Sequence, residues 1–425
     1  MKSTHFCKTM RFATAVAAVA IMLCLNSCGS TAKQGEEKQY SATTQELIDM
    51  VNGDEQLKAL LTKAIEKCAK ENPDRAYNPA QTLEEYYDFI ELSQTALPWT
   101  VLDLADSVKL YDRIDQCVDY FYYINDIPLD ELDGKGLYNN SLQYLEPYKN
   151  WIVKYCKSWG EYLSKPESWK PEYVDIVKQD ESFGLTYGWY ESPENWHCFN
   201  DFFCRYLSSP DARPIAEPDN DAVVASPADS KPQGVWAIDA NSDIVQKEGV
   251  NIKSRNFNSV KQLLGPNTKF GDKFANGTLT HSFLDVNDYH RYHFPVSGKI
   301  VELEVIAAED AGGGFLKWDA ANHRYILECD VPGWQMIETR GLVIVETKEY
   351  GYVALLPIGM SQISSVNFES NLKVGDTVKK GDMLGYFLFG GSDFVLVFQE
   401  GVKYTPSTET FKHVLMGEEI GRFSK

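Results

Sequence analysis

Basic residues are in short supply in this chain. Of 425 residues, 41 are Lys or Arg and 61 are Asp or Glu, leaving a formal charge of −20. That deficit argues against a nucleic-acid partner and against recruitment by an anionic lipid surface. No Cys-x-x-Cys pair occurs, so a structural zinc site is not expected, and no metal is assigned. The apolar run at residues 12–25 is too short for a comfortable membrane span. Histidine is scarce, seven in all, which makes any clustering of it informative.

What is present reads as a globular protein of two or three domains, 44% hydrophobic and 24% charged. The N-terminus has the form of a targeting signal: Lys2, Lys8 and Arg11 precede the apolar run. It ends in Leu25-Asn26-Ser27-Cys28-Gly29, which looks like a bacterial lipobox. That likeness implies cleavage before Cys28 and lipidation of its thiol and new amine. No aspartate follows Cys28, so the expected location is the bacterial cell envelope, lipid-anchored to the outer membrane and facing the periplasm. Six further cysteines (Cys68, Cys117, Cys156, Cys198, Cys204 and Cys329) permit disulfides in that compartment, though a chain of this size can do without them.

Residues 1–27 are thus a signal and 28–44 a polar tether. Helical periodicity follows. Leu57, Leu60, Leu61, Ala64, Ile65 and Cys68 recur on one face, and Asn72-Pro73 ends the run. Thr82 and Glu85 form a capping box. Further helices are predicted near 110–124 and 142–162, the latter with Tyr148, Ile152, Tyr155 and Trp159 as its stripe. Residues 166–193 read as an irregular connector closing a helical domain at 45–195. From 196 to 425 short β-branched runs alternate with Gly, Asn and Pro turns, so a β-rich domain is expected there.

Two places in that half carry chemistry. Phe389-Gly390-Gly391-Ser392-Asp393 lies between the apolar runs 383–388 and 394–399. It reads either as a tight hairpin or as a nucleophile beside an unshielded peptide bond. Asp288-Tyr289-His290-Arg291-Tyr292-His293-Phe294-Pro295 sets two histidines three apart. The pair suits proton transfer near neutral pH, could ligate a metal with further partners, or could be structural.

Four motifs occur in a telling order: Phe202-Phe203-x-Arg205-x-Leu207, Ser226-Pro227-Ala228-Asp229, the Asp288–Pro295 run, and Gly390-Gly391-Ser392. Together they resemble the phosphatidylserine decarboxylases, pyruvoyl-dependent enzymes that mature by cutting themselves. The resemblance covers about residues 199–402. It implies an α+β chain with a helical N-terminal domain followed by a β-rich catalytic domain of this family. Ser230 stands where the family has glycine, and Asp393 where it has a small hydroxyl residue.

What the resemblance implies chemically is specific. Ser392 Oγ attacks the Gly391 carbonyl and turns an amide into an ester. His293 acts as base, oriented by Asp229, in the manner of a Ser-His-Asp triad. β-Elimination then leaves Ser392 as the precursor of a pyruvoyl group, the only cofactor expected. The substrate amine joins it as a Schiff base, and His290 protonates the carbanion left by carbon dioxide. The expected substrate is a free, aromatic amino acid: the 338–346 and 353–360 runs look closer to a divergent branch that includes fungal tryptophan decarboxylases. Phosphatidylserine is the alternative substrate. A second alternative is a non-catalytic surface lipoprotein, because 294–300 and 373–382 also look like the hairpins of biotinyl and lipoyl carriers.

Overall fold

The computed structural model describes residues 38–245, 250–252, 255–307, 315–328, 334–360 and 365–425. The candidate signal, Cys28, the glycine-rich loop before Phe315 and Cys329 fall outside them. Tyr40–Lys425 form one compact unit. Five main helices come first: α1 (Ala42–Gly53), α2 (Glu55–Glu71), α3 (Leu83–Ser93), α4 (Leu110–Asp126) and α5 (Tyr148–Leu163). The short helices α6 (Tyr173–Lys178), α7 (Phe199–Phe203) and α8 (Val260–Leu264) follow.

The helices lie where their caps and apolar stripes put them. Asp54 caps α2, and the face from Leu57 to Cys68 is buried. Thr82 Oγ1 accepts from Glu85 N at 3.2 Å, while Glu85 reaches back to Gln81 N at 2.9 Å. Two boundaries differ from expectation. α1 begins at Ala42, inside the predicted tether, because Ser41 caps it and also binds Glu91 on α3. α5 begins at Tyr148 rather than 142, since Pro147 cannot donate to a preceding turn. The segment 166–193 holds short 3₁₀ turns and α6.

The central feature is a seven-stranded antiparallel sheet. Its members are β2 (Lys231–Ala237), β5 (Thr278–Leu284), β7 (Gly298–Ile306), β10 (Thr339–Glu346), β11 (Tyr352–Met360), β13 (Thr377–Val378) and β15 (Gly391–Phe398). Their spatial order is β13-β7-β10-β11-β15-β5-β2. One small sheet joins β1 (Val223–Ala225), β17 (Glu419–Ser424) and β16 (Lys403–Pro406). Another joins β12 (Val366–Phe368), β14 (Met383–Phe387) and β6 (Arg291–His293). Two hairpins, β3–β4 (Val250–Ile252, Arg255–Phe257) and β8–β9 (Phe315–Asp319, Arg324–Glu328), complete the fold.

Strand alternation gives the large sheet two different faces. Val395 and Val397 of β15 belong to one core with the helices, while Phe394, Leu396 and Phe398 belong to a second with Val224, Tyr292 and Phe423. The change at residue 196 is therefore a change of secondary structure inside one continuous core. Tyr325 on β9 shows the join: its backbone N–H donates to Gln116 Oε1 on α4 at 2.6 Å, and Asn72 Nδ2 donates to its hydroxyl at 2.8 Å. The five described cysteines past Cys28 are buried free thiols, so no disulfide joins these layers among the described residues.

Candidate active site

Ser392 is not on a hairpin tip. β14 and β15 belong to different sheets, and residues 388–390 carry the chain from one to the other. Gly390 makes the crossing at φ +145°, a conformation that L side chains rarely adopt. Phe389 plugs the crossing into the helical core, edge-on to Phe199 and Phe203, with its N–H on Asn200 Oδ1 at 3.0 Å. Gly391 already pairs with Met360, and Ser392 pairs with Gly359 on β11 and Leu284 on β5. The Ser392 hydroxyl is wholly buried and has no hydrogen-bond partner among the described residues. A buried, unsatisfied hydroxyl is costly, and such a group calls for an explanation.

His290 stacks on Phe203, ring centroids 3.8 Å apart. Its Nδ1–H donates to the Asp288 carbonyl at 3.0 Å, which leaves a bare lone pair on Nε2, buried and unpartnered. Burial, helped by the nearby Arg205 charge, pushes its pKa down to about 3. His290 is therefore a neutral base, and its main chain runs opposite Phe387, just before the crossing.

His293 is placed differently. Its backbone N–H donates to Pro227 O at 2.8 Å, fastening β6 to the loop after β1. Nδ1 lies 2.8 Å from Gly381 O and Nε2 lies 3.1 Å from the Tyr289 hydroxyl. Burial lowers its pKa to about 4. With Nδ1–H donated to a carbonyl, Nε2 is the acceptor, and Tyr289 occupies it. Neither imidazole hydrogen-bonds Ser392 in this structure.

Asp229 sits beside this pair without orienting it by a hydrogen bond among the described residues. Its carboxylate takes Arg213 Nε at 2.9 Å and Nη2 at 2.6 Å, with Met416 N at 2.7 Å on Oδ1. The reason is electrostatic: a forked guanidinium is a far better partner for a buried carboxylate than a neutral imidazole. Asp229 acts on His293 only through space, favouring its protonated form. Ser230 stays buried, its hydroxyl bonded to Ala228 O at 3.3 Å.

Four further side chains complete the site, and of these only Tyr289 lies within the four motifs. Arg213 holds Asp229, and Tyr289 caps His293. His413 donates to Asp288 at 2.7 Å, and this contact raises the His413 pKa. His281 on β5 meets Asp393 at 2.5 Å, both fully buried. Among the described residues no group of three or more His, Cys, Asp or Glu could hold a metal ion.

The site offers a buried serine from which a reactive carbonyl can be made out of the chain itself. Ser392 fits as precursor of that group, being an unpartnered buried hydroxyl directly after a glycine. Residues 199–422 match the phosphatidylserine decarboxylase family. A phosphatidylserine decarboxylase proenzyme from Fusobacterium nucleatum is 30% identical over 70% of this chain and 94% of its own length. A rice proenzyme of the same name is 33% identical over 59% of this chain, which spans only 37% of that longer protein. The decarboxylase iboD of Amanita muscaria is 27% identical over 73% of this chain and 91% of its own. The chain belongs to the phosphatidylserine decarboxylase family: carboxy-lyases made as proenzymes, with a pyruvoyl group derived from the chain itself.

Proposed function

We propose that this chain cuts itself between Gly391 and Ser392 and then decarboxylates a free, aromatic amino acid. The observation that carries the cut is the buried Ser392 hydroxyl, unpartnered beside the Gly390 crossing. Its oxygen adds to the Gly391 carbonyl and the Ser392 nitrogen leaves with a proton, giving an ester. Loss of the Ser392 α-proton expels the Gly391 carboxylate and leaves dehydroalanine. Water then releases ammonia and leaves the pyruvoyl carbonyl at residue 392.

In this proposal His293 takes the hydroxyl proton once Tyr289 turns off Nε2, and Asp229 favours the imidazolium that forms. His290, neutral with a bare Nε2, handles the proton at the substrate carbon. The pyruvoyl carbonyl supplies the electron sink for the departing carbon dioxide. Cys28 is lipidated in this reading and holds the enzyme at the bacterial envelope. Among the described residues no helix is long and apolar enough to cross a membrane.

The amino-acid substrate is supported by the acidic balance of the chain, which disfavours an anionic lipid surface, and by the likeness to an Amanita decarboxylase whose name, unlike that of the proenzymes, specifies no phospholipid. The second reading, phosphatidylserine, is supported by the likeness to the Fusobacterium proenzyme. Intact mass under denaturing conditions tests the cut and the lipid together. Two chains, 28–391 with an acylated Cys28 and 392–425 with a blocked end, are expected; one uncut chain removes the proposal. Carbon dioxide release from tryptophan, other amino acids and phosphatidylserine vesicles then decides the substrate.

A further inference from the structure

A cavity of about 370 Å³ lies between α4, the β8–β9 hairpin and the edge of the large sheet. It is at the small end of ligand pockets, too small to enclose a diacyl lipid. One wall comes from α4, which lies outside the family-matched residues. Asp115, Val118 and Asp119 project from that helix at i, i+3 and i+4, one face. The remaining surface is largely apolar, with Phe283, Val286, Ile326 and Leu327.

The charges in the cavity do not cancel. Arg324 pairs with Asp115 at 2.7 Å, and Lys231 pairs with Asp285. Asp119 is left over. It is 7% exposed and makes no hydrogen bond or ion pair among the described residues. A carboxyl group buried without a partner carries an uncompensated cost, which a cation in the cavity would remove. Burial and the neighbouring Asp115 push its pKa well above the usual carboxylate range.

We propose that this cavity binds a small primary amine on an apolar body, its ammonium paired with Asp119 and its body against Phe283 and Leu327. A free amino acid would bring a carboxylate beside Asp115, Asp119 and Asp285. An amine without one fits better, and such an amine is what amino-acid decarboxylation yields. The assignment of the ligand as product therefore rests on the proposed function, whereas the amine site does not. Phe283 and Leu284, which line the cavity, pair directly with Asp393 and Ser392, so an occupant leans on the strand flanking the proposed cut.

Equilibrium dialysis with tryptamine and tryptophan tests this on the full-length Ser392→Ala chain, which cannot form a carbonyl that would trap amines. Tryptamine should be retained, tryptophan about tenfold more weakly, and Asp119→Asn in that background should weaken tryptamine about tenfold. Leu327→Lys, which brings a further cation into the cavity beside Lys231 and Arg324, should weaken it likewise. No tryptamine retention at about 1 mM, the weak end of specific binding, overturns the site. So does equal retention by the Asp119→Asn chain, or tryptophan bound as tightly as tryptamine. Asp119-dependent tryptamine binding without carbon dioxide release from any amino acid would leave the site standing and remove the substrate proposal instead.

Discussion

His281 Nε2 and Asp393 Oδ1 meet at 2.5 Å in a fully buried pair on the helix-facing side of the large sheet. They are diagonal neighbours: Asp393 pairs with Phe283 and Val395 pairs with His281. Ser392, one residue earlier, faces the opposite side. The carboxylate that replaces the family's small hydroxyl thus has its own partner across the strands. That partner grips the second residue after the proposed cut. Burial raises the Asp393 pKa, and His281 opposes that shift.

Asp393→Ser should restore the family's hydroxyl and speed the appearance of two chains. It should also leave a buried imidazole without its carboxylate, at about 1–3 kcal/mol of stability. A cleavage time course on denaturing gels and urea unfolding of the Ser392→Ala background read the two effects separately. Unchanged values in both would show that the pair is incidental.

The two histidines should separate by phenotype. Ser392→Ala and His293→Ala should remain single chains. His290→Ala should be cut yet release carbon dioxide at least about a hundredfold more slowly, the lower range for losing a general acid or base. Gel and carbon dioxide assays check both. A His290→Ala chain that stays whole while His293→Ala is cut would exchange their roles, an outcome consistent with the bare Nε2 of His290.

Breaking the Arg213–Asp229 knot should be costly. Arg213→Met strands a buried carboxylate, and about 3–5 kcal/mol is expected. The Arg213→Met, Asp229→Leu double variant should recover part of it, because no charge is then left unpaired. Urea unfolding of Arg213→Met, Asp229→Leu and the double variant in the Ser392→Ala background gives the coupling. Additive losses would mean that the pair contributes nothing as a pair.

Acid should weaken the fold through the buried imidazoles. Unfolded histidine titrates near 6.5, whereas folding lowers His290 to about 3 and His293 to about 4. Between those values the unfolded chain binds the extra protons. The contribution of each is whole above about 6.5 and is lost as pH falls toward its folded value. His290→Phe should reduce the slope of stability with pH near 5 by about 1.4 kcal/mol per unit. Denaturant unfolding at pH 6, 5 and 4 measures it, and an unchanged slope would place His290 in water.

Three helices were legible from their own residues: Thr82 caps α3, and one-face apolar stripes bury α2 and α5. The strands around Ile300, Leu342 and Tyr352 were legible from β-branched runs. The order of four short motifs was enough to single out Ser392, His290 and His293 as candidates. What was not legible is who partners whom. Asp229 could be placed by motif, but its capture by Arg213 depends on how the segment after α7 folds back. His281 lies 112 residues from Asp393, on a strand whose alternation looks like any other. The Phe389–Asp393 stretch misleads because two glycines mark hairpins and sheet-to-sheet crossings alike. Only the pairing of β15 with β11 and β5 tells them apart.

β15 lies inside the sheet, between β11 and β5, and β17 pairs with β1. A cut at Gly391–Ser392 would leave 392–425 held on both sides by the rest. It would also change the molecularity of folding. Before the cut, every strand arrives on one chain and assembly is first order. Afterwards, a denatured enzyme must bring two chains together, and refolding becomes dependent on concentration. The uncut chain would refold as one molecule; a cut enzyme would keep its shape mainly by never letting go of it.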